Sequence, residues 1–355
     1  MNTLLVRVSC ALIFLIFTFV YLFCYQADIM VVAQHVASGG QTHYVPLMGA
    51  VLITIALYFI HLGVYAITKL CKRTHALTYL PSLLILAFIT SLSSDVRDKI
   101  ELGCWVWVFP LVLVLYAFVA YIARNYQEIE TEPSAGGLYS RFIWINLSVL
   151  LAMFVVVGLI GNHDEEFHKR AKVETLIADG KYDEAYNLAL TLGSNDPSAF
   201  MLRACALSGS KKMGEKLFEV PLTSGVNGIV PDSINNVRTL VLPEKEIQEK
   251  ARYNLDYFLC RQLLDKNLKA FMFILKRYYS LSDPLPKHYR EALVLYINKY
   301  GSLGKGLSFS DEKLNEEYRE FSDAYIRHDM KTLKRYKSTY WYYYECVTQV
   351  ALSKK

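Results

Sequence analysis

A chain of 355 residues that is 53% hydrophobic, 14% aromatic and 20% charged is too apolar for an ordinary soluble domain and too charged to lie wholly in a bilayer. The two characters are segregated: up to residue 160 there are eight basic and seven acidic side chains, and from Gly161 onward thirty and twenty-six. Neither part has the basic excess that nucleic acid demands, which excludes that class of partner. Seven cysteines without a C-x-x-C pair argue against zinc ribbons and redox motifs. Cys10, Cys24 and Cys104 fall in apolar runs, as small hydrophobes do, and Cys205, Cys260 and Cys346 leave room for at most one disulfide in the second half.

Residues 4–24 carry a single charge, Arg7, and are long enough to cross a hydrocarbon core, which needs about 20 helical residues. Bulky Tyr21, Leu22, Phe23, Cys24 and Tyr25 offer no small-residue cleavage site, so a retained anchor is predicted. Further spans are predicted at 46–68, 77–92, 104–122 and 141–160, giving a five-helix transmembrane domain over 1–160. The third is short and has Pro81 near its start, but charges border it sharply: Lys69, Lys72 and Arg73 before it, Asp95, Arg97, Asp98 and Lys99 after it.

With five crossings, Arg7, Lys69, Lys72, Arg73, Arg124 and Arg141 fall on one side against Arg97 and Lys99 on the other. The positive-inside rule then puts the N-terminus in the cytoplasm and residues 161–355 outside it, in the periplasm for a bacterial inner-membrane protein. Lys169, Arg170 and Lys172 pull the other way. Of the polar groups within spans, His61 stands out, flanked at helical spacing by Tyr58 and Tyr65; a lone histidine there reads as an imidazole bonded to a neighbouring helix. Asp28, His35 and His43 lie beside Gly39 and Gly40, at spacings of seven and eight that match no ligand template. No catalytic residue, metal or cofactor is assigned.

Past the last span, His163 and His168 are five apart, about 140° round a helix, so they do not form a zincin face. Residues 176–197 read as the turn and second helix of a tetratricopeptide hairpin: Gly180 for a positive-φ turn, Ala185 where the partner helix must come close, Pro197 as the stop. Apolar residues at three- and four-residue spacing predict further helices over 199–207, 212–220, 243–264, 268–279, 288–300, 311–327 and from 330 through Gln349. Asp283 is placed to cap the helix that begins at Pro284. Residues 223–241 show no helical period, and 301–310 read as a flexible connection. A hairpin that cannot bury its own stripe must stack on the next, so 161–355 is predicted to form an α-hairpin solenoid, and the whole chain is all-α.

The last helix sets Lys331, Lys334, Arg335 and Lys337 before Tyr336, Tyr340, Trp341, Tyr342, Tyr343 and Tyr344. One reading is a binding patch of Tyr336, Tyr340, Trp341 and Tyr344 rimmed by Lys334 and Lys337. The other packs Tyr336, Tyr340 and Tyr343 on the preceding helix and leaves the lysines solvated.

Leu217-Phe218, the stretch Leu285-Pro286-Lys287-His288-Tyr289-Arg290-Glu291-Ala292-Leu293 and the run Thr339-Tyr340-Trp341-Tyr342-Tyr343-Tyr344 resemble an uncharacterised family of Bacteroides-type integral membrane proteins with tetratricopeptide-like C-terminal regions. That resemblance implies a bacterial envelope location and supplies no catalytic residues. Its members have a longer membrane part than the five spans predicted here. The expectation for function is a membrane-anchored helical-repeat scaffold, in contact with lipid and binding a protein or envelope component at the outer face of the inner membrane. The alternative is a membrane-embedded enzyme or transporter acting on a lipid-linked glycan, which would draw on His61, His35, His43 and Asp28.

Overall fold

A helix rises 1.5 Å per residue, so crossing an apolar core of about 30 Å takes about 20 residues. In the computed structural model, which describes residues 2–96, 99–129, 141–193, 196–220, 222, 225–281, 284–301 and 309–347, four helices meet that length with the required hydropathy: Leu4–Tyr25, Pro46–Thr68, Trp105–Asn125 and Arg141–Ile160. The N-terminal half is that of a multi-pass membrane protein. Large apolar side chains cover the outward faces of these helices, Trp107 being 80% and Leu159 74% exposed. Such a surface is matched to lipid rather than water.

The segment expected as a third span differs. Its α-helix, Leu80–Thr90, has eleven residues and reaches only about 16 Å at the α-helical rise. Pro81 occupies the first turn, where its missing N–H costs nothing, and the preceding polar residues wind as the 3-10 helix Lys72–Tyr79. Leu83, Leu86 and Ala87 are buried against the longer helices, so this element is a filling of the bundle rather than a lipid-facing rod. Ser82 Oγ donates to the Leu57 carbonyl at 2.8 Å, tying it to Pro46–Thr68.

By contacts the chain divides into two units, Met1–Ala171 and Lys172–Lys355. Among the described residues the second unit is helical apart from loops and one isolated β-bridge, Asp232–Val237. Gly180 takes φ +75° in the turn before helix Tyr182–Ala189, and that helix packs on Ala199–Gly209. A Cβ at Gly209 would collide with the Tyr182 ring, and Ala185 is fully buried, so two small residues set the approach of this pair. Leu255–Leu264 and Leu268–Tyr278 form a second pair across the turn at 265–267, with Asn267 capping the second helix.

A solenoid unit touches only its neighbours in sequence. Here instead Lys287–Tyr300 is surrounded: it packs on Met213–Lys216, Leu268–Tyr278, Glu312–Ile326 and Tyr340–Cys346. His288, Tyr289, Glu291, Ala292, Leu293, Val294 and Leu295 are all buried, more than one amphipathic stripe provides. The hairpins therefore gather round one central helix rather than in an open row. The expected cap at Asp283, most of 301–310 and the chain after Val347 lie outside the described residues.

The irregular stretch expected at 223–241 is held by side chains. Glu174, fully buried, accepts with Oε2 from the backbone N–H groups of Leu240, Val241 and Leu242 at 2.7, 2.8 and 3.2 Å. Ser198 Oγ accepts from Arg238 N at 3.0 Å, and the Asp232 carboxylate accepts from Ile234 N and from the Asn235 side chain. One carboxylate thus replaces the pairing that a strand would have supplied. Glu174→Gln should cost about 1–3 kcal/mol, the usual value of hydrogen bonds to a charged acceptor. Hydrogen exchange should then lose protection at residues 240–242; unchanged protection there would show that the carboxylate does not hold the loop.

Candidate functional site

The aromatic run at the C-terminus is core and not surface. Tyr340 and Trp341 are 0% exposed and Tyr336 8%. Helix Tyr340–Cys346 lies along Lys287–Tyr300, where Trp341 Nε1 donates to the Glu291 carbonyl at 2.7 Å. Tyr340 and Tyr343 donate to the carbonyls of Leu263 and Leu264 at 3.1 and 2.7 Å. The patch reading therefore fails for Tyr336, Tyr340 and Trp341: each ring finds a buried partner at helical spacing, and each Tyr340, Tyr343 and Trp341 polar tip a carbonyl. Lys334 and Lys337 are exposed and Tyr344 is half-buried, its ring 4.2 Å from Lys299 Nζ.

Under that run lies a polar centre whose role the sequence reading did not identify. His288 and Glu291, three apart on one helix, are both buried, with Nδ1 and Oε2 2.9 Å apart. Phe218 N–H donates to His288 Nε2 at 3.3 Å, which leaves Nδ1 to donate to the carboxylate. The same Oε2 accepts from Tyr340 N at 2.7 Å. Three distant parts of the chain, at residues 218, 288–291 and 340, are thus joined through the His288–Glu291 pair. The His-x-x-Glu spacing was the available signal, but it is indistinguishable from an exposed ion pair until the burial is known.

A second centre is Asp256, whose Oδ1 accepts from Tyr279 and Tyr289 at 3.0 and 2.9 Å. Burial, and then the Asp256 charge, push the Tyr279 hydroxyl up to about 12. Tyr257, 2% exposed, donates to the Ile229 carbonyl at 3.2 Å and touches Cys205 Sγ at 3.5 Å. Burial raises the Cys205 thiol to about 11 and Cys260 further, so neither is a ready nucleophile. Cys205, Cys260 and Cys346 are all free thiols.

Beside Tyr257 the chain breaks between helices Glu244–Tyr253 and Leu255–Leu264. Asn254 is extended there and caps the second helix by accepting from the N–H groups of Asp256 and Tyr257. A cavity of ≈ 510 Å³ opens at this break, walled by the turn at 226–230, with Arg252 from one helix and Arg261 from the other in its lining.

In the membrane half the candidates separate. His61 is buried and stacks on Tyr79 with ring centroids 3.7 Å apart. The Thr78 hydroxyl gives its one hydrogen to the His75 carbonyl at 2.6 Å, so His61 Nδ1 donates to Thr78 Oγ1 at 3.1 Å. His75 completes the cluster, edge-on to His61, Tyr65 and Tyr79. Asp28 instead faces His168, Oδ2 to Nδ1 3.9 Å. Burial, and next the neighbouring His43, hold the His35 imidazole below its ordinary value. Among the described residues no three His, Cys, Asp or Glu side chains gather as metal ligands.

Residues 246–346 match a family of unknown function, DUF6057. The match contains two of the three stretches that carry the resemblance, 285–293 and 339–344, and Glu291 with them; Leu217-Phe218 lies outside it. No curated protein and no solved structure matches the chain.

Removing Glu291 leaves the His288 Nδ1–H and the Tyr340 N–H buried without their acceptor, so Glu291→Ala should destabilise the chain by about 1–3 kcal/mol for each orphaned donor. Chemical unfolding of the purified protein measures this, and a loss under 1 kcal/mol would assign the pair no more weight than a surface contact. At His168 the facing Asp28 carboxylate comes first, and with the Asn162 carbonyl it raises the imidazole above its ordinary value despite burial; Asp164 adds to the field. A raised value stabilises the fold below the ordinary histidine range, about 6.5, and that gain is lost as pH climbs through the shifted value. Asp28→Asn should lower the His168 titration midpoint followed by NMR; an unmoved midpoint would rule out the pairing.

Proposed function

We propose that the protein is a membrane-anchored helical scaffold that holds a protein or envelope component through residues 172–355. The observation that carries this reading is the use made of the reactive side chains in that unit. His288, Glu291, Asp256 and Glu174 are all spent on backbone groups, tyrosines or each other, so the unit has the chemistry of a rigid support. The tetratricopeptide-like reading draws support from the Gly180 turn into helix 182–189 and from the pair 255–264 with 268–278. The rival, a membrane enzyme or transporter for a lipid-linked glycan, is less favoured because Asp28 and His61 face different partners, His168 and Thr78.

The proposal includes five crossings, residues 72–90 supplying the third as a 3-10 turn plus a short helix. Two layers of contacts support it. At one, Asn146 accepts from Ala76 N and donates to the Lys72 carbonyl, both at 2.6 Å, while Arg7 lies over Tyr65. At the other, Asn162 N donates to the Thr90 carbonyl at 2.8 Å, and Tyr21 donates to the Val157 carbonyl at 3.4 Å. From Asn146 to Gly161 a helix climbs about 22 Å, and residues 76–90 run beside it over that depth. The start of helix Leu4–Tyr25 and Gly161 then belong to opposite faces, and the basic loops favour a cytoplasmic start of the first span in a bacterial cell.

Reporter fusions after Ile160 should be active as periplasmic phosphatase and silent as cytoplasmic β-galactosidase; the reverse pattern removes the fifth crossing. Affinity purification of the full chain from detergent extracts should recover one defined component in near-stoichiometric amount. Equal recovery with a chain ending at residue 160 would end the scaffold reading.

A further inference from the structure

The cavity at the helix break has two arginines in its lining. Several arginines of the unit are matched, Arg290 with Asp311 at 3.1 Å, Arg335 with Glu320 at 2.9 Å, and Arg203 with the carbonyls of Ala189 and Leu192. Arg252 and Arg261 have no ion pair among the described residues, and no carboxylate lines the space between them. Asp256, half-buried on the same helix as Arg261, is occupied by Tyr279 and Tyr289. Two unmatched guanidinium forks in one concavity are a geometry for phosphate or carboxylate oxygens.

Much of the remaining lining is apolar: Val226, Ile229 and Val230 on the turn, Ala251 and Phe258 on the helices. Phe258 is 42% exposed, an apolar side chain left open at the mouth. Gln248 and Asn227 add neutral hydrogen-bonding groups. At ≈ 510 Å³ the space falls within the range of about 300–1,000 Å³ typical of small-molecule sites. Its walls are set in advance, because the Tyr257 hydroxyl fixes Ile229 and Asn254 fixes the start of the second helix.

We infer that this cavity binds an amphiphilic organic anion, its phosphate or carboxylate head between Arg252 and Arg261 and its apolar body against Ile229, Val230 and Phe258. The site goes beyond the scaffold reading and does not need it. A phospholipid headgroup and a water-soluble acyl or alkyl phosphate share this chemistry.

The test uses the full chain in phosphatidylcholine nanodiscs, titrated calorimetrically with hexyl phosphate against empty discs. Saturable binding is expected, with hexanol and inorganic phosphate each weaker by about tenfold or more because each offers half of the ligand. Arg252→Gln with Arg261→Gln, both exposed and so expected to fold, should weaken hexyl phosphate by about tenfold or more. Phe258→Ala should weaken hexyl phosphate and leave inorganic phosphate unchanged. Absence of saturable binding, or a double variant that binds as the parent does, overturns the inference. In phosphatidylglycerol discs, a weakened hexyl phosphate affinity identifies the lipid as occupant, and an unchanged one identifies the soluble anion; either keeps the site. Recovery of the scaffold partner by the double variant separates failure of this site from failure of the scaffold.

Discussion

A polar group taken out of water must be bonded by the fold itself, and in this protein that requirement decides the architecture twice. Glu291 is the sharper case: an ionisable side chain with almost no exposure, facing His288 Nδ1 and the Tyr340 N–H. Leaving a charge there without partners would cost several kcal/mol, more than any single apolar contact around it supplies. With Phe218 N–H bonded to His288 Nε2, the three chain segments joined through this pair cannot slide past one another without breaking those bonds. Glu174 applies the same rule to a loop, giving a stretch with almost no regular pairing of its own a fixed course.

In the membrane half the solvent is different and the rule is stricter. Asn146 satisfies both ends of its amide, Oδ1 from Ala76 N and Nδ2 to the carbonyls of Lys72 and Phe142. Those bonds let a 3-10 stretch exist beside apolar helices, since non-helical backbone at that depth survives only where neighbouring protein bonds it. His61, Thr78 and Ser82 belong to the same seam, each with a partner on another element. Most of these polar residues hold the short helix and its 3-10 lead-in, while Tyr21 also ties two long helices through the Val157 carbonyl.

Density of apolar packing does the rest in the second unit. The core round Lys287–Tyr300 includes Phe218, Phe271, Phe321, Tyr340 and Trp341, all within 2% of full burial. Aromatic rings meet there edge-on, as Phe218 does with Tyr340 at 5.1 Å and Tyr318 with Trp341 at 5.3 Å. Such contacts favour one arrangement among many of equal area. The break at Asn254 is the exception to this close filling: it turns one continuous helix into two and leaves a cavity where they part.

Helical class and the positions of the long apolar spans were legible from residue order alone, because hydropathy over about 20 residues and a three-to-four spacing of apolar side chains are local properties. The turn at Gly180 and the small residue at Ala185 were legible for the same reason, one a matter of φ and the other of side-chain size. Residues 77–92 were read as the third of five spans, short but bordered by charges; hydropathy does not register that 72–79 would wind more tightly and leave eleven α-helical residues. Which of six neighbouring aromatics would be core, and whether His288 and Glu291 would face solvent or each other, depended on helices far away in sequence. Burial is a property of what arrives from elsewhere in the chain, and only the tertiary structure decided it.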